Sequence, residues 1–351
     1  MKNKDRGKHE NSPPSGDRLQ ENSRDQDIIP KHSSRLEISI LNLAHGEEAS
    51  NYDQNPIQMD DEQARNIDPN NINETGDLNV KFKKVKDHGL KCPLHPQQIM
   101  TWVVMFVLVL TFYAFLVPGT YFIGTAFSII ISLLYLGLLI AVGFNATKAT
   151  ITDPTDRNVL YERQWRKEGT QAEENDELEF FWDVCEAFVH ERTKHWGDCN
   201  RCSDLFDHHC KWLNNWIGGK NYAYFLILIS ILLVQTLVFM LISLIFVITA
   251  IVDKNSFQKG FQKFYATDLN RFGLAAYLIL INVVWALIVF FTISLIILHI
   301  KLKKIGLTAY EYIVFKEERE DRLILFNAGE MSRGEFEEEE RKANEDLRRK
   351  K

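Results

Sequence analysis

Charge vanishes from this chain over four long stretches, and those stretches set its architecture. Positions 99–147 hold no Asp, Glu, Lys or Arg, and Pro118-Gly119 falls near the middle of the run, which predicts two helices joined by a tight turn. A helix rises about 1.5 Å per residue and needs roughly 20 apolar residues to cross the hydrocarbon core of a bilayer. Residues 99–117 and 126–145 supply that length, and two further uncharged runs follow at 221–252 and 272–298. A buried helix of a soluble protein is shorter and keeps a polar stripe, which these runs lack. Four membrane crossings are therefore predicted.

The flanks give an orientation. Lys81, Lys83, Lys84, Lys86 and Lys91 precede the first crossing, and Lys301, Lys303 and Lys304 follow the fourth, which places both ends in the cytoplasm. An even number of crossings puts 148–220 on that side too and leaves 118–124 and 253–271 outside, although Lys254, Lys259, Lys263 and Arg271 in the second outer loop run against the charge rule. Residues 1–80 are polar, contain Pro13-Pro14 and have no apolar run, so they predict a disordered cytoplasmic tail rather than a signal peptide. Asn73-Glu74-Thr75 fits a glycosylation acceptor but falls on the wrong side for one. The far end, 333–351, is acidic first and basic last, as suits a solvated, charged helix.

The predicted organisation is thus a tail at 1–80, two crossings within 81–147, a cytoplasmic segment at 148–220, two more crossings within 221–300 and a C-terminal tail at 301–351. The overall 46% hydrophobic content and net charge of -6 are averages over these two kinds of sequence. No nucleic-acid partner is expected, and the absence of Asp, Glu, Lys and Arg inside the runs argues against a transporter with a charged ion path.

Chemistry concentrates in the cytoplasmic segment. Residues 185–219 contain four Cys and four His among too few apolar residues to bury a core. Zinc held by Cys and His replaces such a missing core and contributes on the order of 10 kcal/mol to folding. Of five cysteines, four lie in this segment, and in a reducing compartment they point to metal binding or catalysis rather than disulfides. Cys199 and Cys202 form a Cys-x-x-Cys pair. Asp207-His208-His209-Cys210 follows, a thiol beside imidazole and carboxylate, eleven residues before an uncharged run.

These residues resemble the DHHC-type protein S-acyltransferases, or palmitoyltransferases. The likeness rests on Cys199-x-x-Cys202, the Asp207 to Cys210 tetrad, Trp212-Leu213-Asn214-Asn215, Ile217-Gly218 and Asn221-Tyr222-x-x-Phe225, and it extends over most of 88–315. Asp153-Pro154-Thr155 is similar to the family's Asp-Pro-Gly motif, and Thr308-Ala309-Tyr310-Glu311 to its Thr-Thr-x-Glu motif. Pro93-Leu94-His95-Pro96, with Lys211 where most members have Pro, resembles one branch.

The resemblance implies an all-α polytopic membrane protein, with four transmembrane helices and a zinc-binding cysteine-rich domain at about 182–219 between helices 2 and 3. It also implies two zinc ions in interleaved Cys3His sets. The first would use Cys185, His195 and Cys202, with Trp182 at its remaining Cys position; the second would use Cys199 and His209, with Trp196 and Trp216 at the other two. An indole offers a donor and no lone pair for a metal. Three absent cysteines all replaced by Trp suggest UGA codons that the organism reads as Cys.

By the same resemblance, Cys210 is the nucleophile, His208 its base, Asp207 the orienting carboxylate and His209 a ligand. The implied reaction moves a long fatty acyl group from acyl-CoA onto Cys210 and then to cysteine thiols of membrane-associated proteins. The site would face the cytoplasm in an endomembrane of the ER, Golgi or plasma membrane. Lys211, Lys220 and Arg201 are candidate contacts for coenzyme A phosphates, and Gln235 and Asn282 for helix association or cavity lining. Ala309 would leave Asp207 without the family's threonine partner, unless Thr308 substitutes. The competing reading is a catalytically impaired membrane scaffold with degraded zinc sites.

Overall fold

The computed structural model describes residues 86–169, 180–182, 185–196, 201–265 and 270–350, with Trp196 described by its backbone alone. The expected 1–80 tail, Asn73 and the ligand candidate Cys199 lie outside the described residues.

Four helices are long and apolar enough to cross a membrane: α1 (Pro96–Thr120), α2 (Thr125–Ile151), α4 (Tyr222–Val252) and α6 (Arg271–Ile305). The chain is a multi-pass membrane protein. Large apolar side chains such as Phe106, Ile130 and Leu280 point outward, as they must where the solvent is lipid. The bundle interior holds Phe112, Tyr135, Phe239, Phe246 and Leu278, with the Phe112 and Tyr135 rings stacked 3.6 Å apart. Asn282 donates to Ser243 Oγ at 2.8 Å and so joins α6 to α4, while Gln235 lines a small interior cavity.

Pro118 does not end α1 as expected. The helix passes through a π-helical turn at Phe112–Leu116 and continues to Thr120. Proline has no N–H to give Ala114, and the Ala114 carbonyl accepts instead from the Tyr265 hydroxyl at 2.6 Å. Gly119 and Gly260 allow the segment after α4 to close on this turn. A Cβ at Gly119 would stand 2.1 Å from the Phe246 ring, and one at Gly260 3.0 Å from the Gly119 carbonyl. Helix α5 (Lys254–Gln262) buries Phe257 and Phe261 against the same end of the bundle.

Between α2 and α4 lie α3 (Arg157–Glu168) and, among the described residues, three antiparallel two-stranded hairpins. They are β1 (Phe180–Trp182) with β2 (Ala187–Val189), β3 (Lys194–Trp196) with β4 (Arg201–Ser203), and β5 (His208–Cys210) with β6 (Asn215–Ile217). After α6, a capping box at Thr308 and Glu311 starts α7 (Ala309–Ala328), which turns back into α8 (Arg333–Lys350). The latter helix is charged as expected but not wholly solvated, because Leu347 is buried with Leu302, Tyr312 and Phe315.

Candidate active site and metal centre

The β5–β6 hairpin carries the reactive tetrad, and asparagines fix it to the membrane bundle. Asn215 Nδ2 donates to the carbonyls of Ala149, Thr150 and Thr152 at 3.0–3.1 Å, groups that the end of α2 leaves without intrahelical partners. Asn214, held at φ 52°, donates to the carbonyls of Gly89 and Pro93 ahead of α1 and accepts from Lys86 Nζ at 2.7 Å. Asn221 donates to Trp216 O at 2.6 Å and Ala149 O at 3.2 Å and accepts from Gly218 N at 2.9 Å, at the head of α4. The hairpin is thereby clamped to the ends of three membrane helices.

Strand alternation would send His208 and Cys210 to one side and His209 to the other, and their surroundings agree. Cys210 packs with Ile217, Phe225 and Ile229, beside Leu295 and Ile296 of α6. Asp207 Oδ2 lies 2.8 Å from His208 Nδ1, and both residues are buried. Burial alone would lower the pKa of His208, but hydrogen bonds to Asp207 and to Cys210 outweigh it and raise the value to about 9. Such an imidazole takes a thiol proton readily.

Asp207 does have a partner across from its histidine. Its Oδ1 accepts the backbone N–H of Ala309 at 2.8 Å. The missing threonine hydroxyl is replaced by main chain, and Thr308 does not substitute, because its side chain caps α7 through Glu311 N at 3.2 Å. Glu311 Oε2 accepts Thr308 N at 2.8 Å, while its carboxylate receives both Nε and Nη2 of Arg192 at 2.7 and 2.6 Å. A connected set of bonds therefore runs from Arg192 through Glu311 and the first turn of α7 to Asp207.

The metal-type residues divide. Cys185 Sγ and Cys202 Sγ lie 3.2 and 3.4 Å from His195 Nδ1, and the three donor atoms all fall within 4.8 Å of one another. Hydrogen bonding from Cys202 lowers Cys185 to about 5, and the thiolate so formed, together with burial, pushes Cys202 upward. Two thiols at such range ionise together only with a cation between them, so this set fits zinc. Trp182 stands at the expected fourth position, its carbonyl accepting Cys185 N at 3.2 Å and its ring 6.3 Å from that of His195.

The second set does not assemble among the described residues. His209 pairs in register with Trp216, whose buried ring meets Phe206 edge-on at 5.0 Å and the Arg201 guanidinium at 5.3 Å. Burial, aided by the positive charges of His208, Lys86, Arg201 and His95, lowers His209 to about 3, which leaves its lone pair open to a metal. Cys199 and the Trp196 side chain lie outside the described residues.

Arg201 is not a phosphate contact. It is buried, donating to Asn215 Oδ1 at 2.8 Å and lying 3.4 Å from Asp153 Oδ1. Lys220 is likewise engaged, by the Thr155 carbonyl. The site also holds one residue that the sequence did not mark. His299, one residue past the fourth uncharged run, is buried with its ring 6.3 Å from that of His208. Its Nδ1 lies 3.1 Å from the Tyr222 hydroxyl. An ionisable ring at the end of a membrane run was the available signal.

Residues 175–316 match a family model described as DHHC palmitoyltransferase. Among curated proteins, the chain is 34% identical over 150 residues to a probable protein S-acyltransferase of Arabidopsis thaliana, covering 42% of this chain and 21% of that one. It is 36% identical over 89 residues to a palmitoyltransferase of Rattus norvegicus, 25% of each chain, and 36% identical over 110 residues to one of Mortierella alpina, 29% of this chain and 20% of that one. The chain thus spans about a fifth to a quarter of the length of these relatives.

Proposed function

We propose that this chain is a protein-cysteine S-palmitoyltransferase working by two thioester exchanges at Cys210. His208 takes the proton of the Cys210 thiol, and Sγ attacks the carbonyl carbon of a fatty acyl-CoA. The carbon–sulfur bond to coenzyme A breaks and the departing thiolate takes the proton from His208. A cysteine of a membrane-associated protein then gives its proton to His208, attacks the acyl-Cys210 carbonyl and displaces the Cys210 thiolate, which is reprotonated by His208. Thioester replaces thioester in each step, so positioning rather than driving force is the task. Asp207 orients His208 and balances its charge.

The observation that carries this reading is the buried Asp207–His208–Cys210 set, where the hairpin meets the head of α4 and the tail of α6. The apolar interior offers the acyl chain its solvent. From Phe225 beside Cys210 to Gln235 at the cavity, α4 advances about 15 Å, and each buried methylene gains about 0.8 kcal/mol. Cys185, His195 and Cys202 would hold one zinc ion in the cysteine-rich domain between α2 and α4. Bound there, zinc neutralises the thiolates and supplies folding energy. The catalytic face is cytoplasmic, in an endomembrane, with acyl-CoA as donor and cytoplasmic protein thiols as acceptors.

An alkyne-bearing palmitoyl-CoA tests the proposal. The purified full chain should take up label that hydroxylamine releases, and Cys210→Ser should lose at least about 100-fold of it. Equal labelling of Cys210→Ser and the parent would overturn the assignment.

A further inference from the structure

The head of α4 and the tail of α6 meet through a buried polar pair that the chemistry above does not use. Tyr222 and Phe225 lie one turn apart on α4, and His299 lies on α6 less than two turns before its end. The His299 ring meets Tyr222 and Phe225 at 5.7 and 5.4 Å, at 63° and 72°, besides the 3.1 Å contact between Nδ1 and the Tyr222 hydroxyl. Phe225 touches both imidazoles, since its ring also meets that of His208 at 5.0 Å and 68°, and with the two imidazoles 6.3 Å apart the three rings form a closed triangle. His299 is only 1% exposed.

An imidazole in such a place is costly to bury, and an apolar side chain would pack two membrane helices more cheaply. What a polar pair adds is a fixed geometry. The rotation of an imidazole about its outer torsion is soft, and the bond to Asp207 fixes only one atom of the His208 ring. The face turned toward Phe225 needs a wall, and Phe225 is held by His299 packed edge-on against it, which Tyr222 holds in turn.

We propose that His299 is a positioning residue for the acyl transfer, which with Tyr222 locks α4 to α6 and keeps Phe225 against His208 so that the imidazole stays aimed at Cys210. The proposal rests on the function given above. It assigns His299 no contact with substrate and no proton to carry. Its action is mechanical, through two aromatic rings.

The test uses the purified full chain in lipid nanodiscs and alkyne palmitoyl-CoA, with Cys210 loading followed in single turnover across donor concentrations. Tyr222→Phe removes one hydroxyl and leaves the packing intact. It should slow the saturated loading rate about tenfold, the scale of one buried hydrogen bond, with the half-saturating donor concentration unchanged. His299→Leu should slow it at least as much, and His299→Asn, which keeps a polar atom at the Nδ1 position, should recover part of the loss. Tyr222→Phe combined with His299→Leu should be no slower than His299→Leu alone. An unchanged saturated rate in Tyr222→Phe, an effect confined to the half-saturating concentration, or losses that multiply in the double variant would each overturn the proposal. A parent chain that takes no label at Cys210 overturns the function and this inference together, whereas a normally labelled parent beside an unaffected Tyr222→Phe overturns the inference alone.

Discussion

The hairpins bearing Cys185 and Cys210 are the same size and are held by different forces. Cys185 follows β1 in a turn that Arg166 grips at the exposed Glu186, and the Cys185 thiol itself faces another thiol and an imidazole. Cys210 ends a strand whose partner strand and turn carry Asn214 and Asn215, tied by five amide hydrogen bonds to carbonyls at the ends of α1 and α2. The first hairpin needs a cation to satisfy its donors, while the second is satisfied by protein atoms. The nucleophile proposed at Cys210 would gain from this division, because a metal held by Cys185, His195 and Cys202 would brace the neighbouring fold without competing for it.

Removing the cation should separate the two most. A chelator, or Cys202→Ala, is expected to release zinc and cost several kcal/mol of stability, read as a lowered unfolding temperature together with metal content. The chelator should then have no further effect on Cys202→Ala. If the parent holds no zinc and is indifferent to chelation, the contrast between the hairpins fails.

Asn215→Ala attacks the other hairpin. It leaves the buried Arg201 without one acceptor and takes a donor from three carbonyls, of which Ala149 O keeps Asn221 and Thr150 O keeps Gly89 N, and should cost about 2 kcal/mol in thermal unfolding with zinc content intact. Glu311→Gln should be milder, about 1 kcal/mol, since Arg192 is a quarter exposed. Its clearer effect is on Cys210 loading, slowed through the shifted first turn of α7. The smallest change in stability is expected from Trp182→Cys, which trades indole packing for a fourth donor; zinc retention against a chelator should rise. The codons at 182, 196 and 216 sharpen this last point, for UGG at all three would end the idea of recoded cysteines.

Much of this was legible from residue types. The four uncharged runs mark the four membrane helices, and the spacing of His208 and Cys210 already puts the proposed base and nucleophile on one side of a strand. The ends were less legible. Helix α6 continues to Ile305 past the lysines at 301, 303 and 304, because long basic side chains reach outward from a helix that only Gly306, at φ 81°, terminates. Pro118 read as a break, since nothing near it in sequence announces that a tyrosine about 150 positions later serves the freed carbonyl. Arg201 looked like a surface cation, and only the meeting of Asp153, Asn215 and Trp216 around it makes burial tolerable.

The bond from Ala309 N–H to Asp207 has a consequence for how this enzyme class can be probed. An anchor supplied by the peptide unit survives any ordinary replacement at its position, so a scan that truncates side chains one by one would score 309 as neutral. Only proline, or an ester in place of the amide, would reveal what that position contributes, and a family member lacking a hydroxyl there need not be a weakened one.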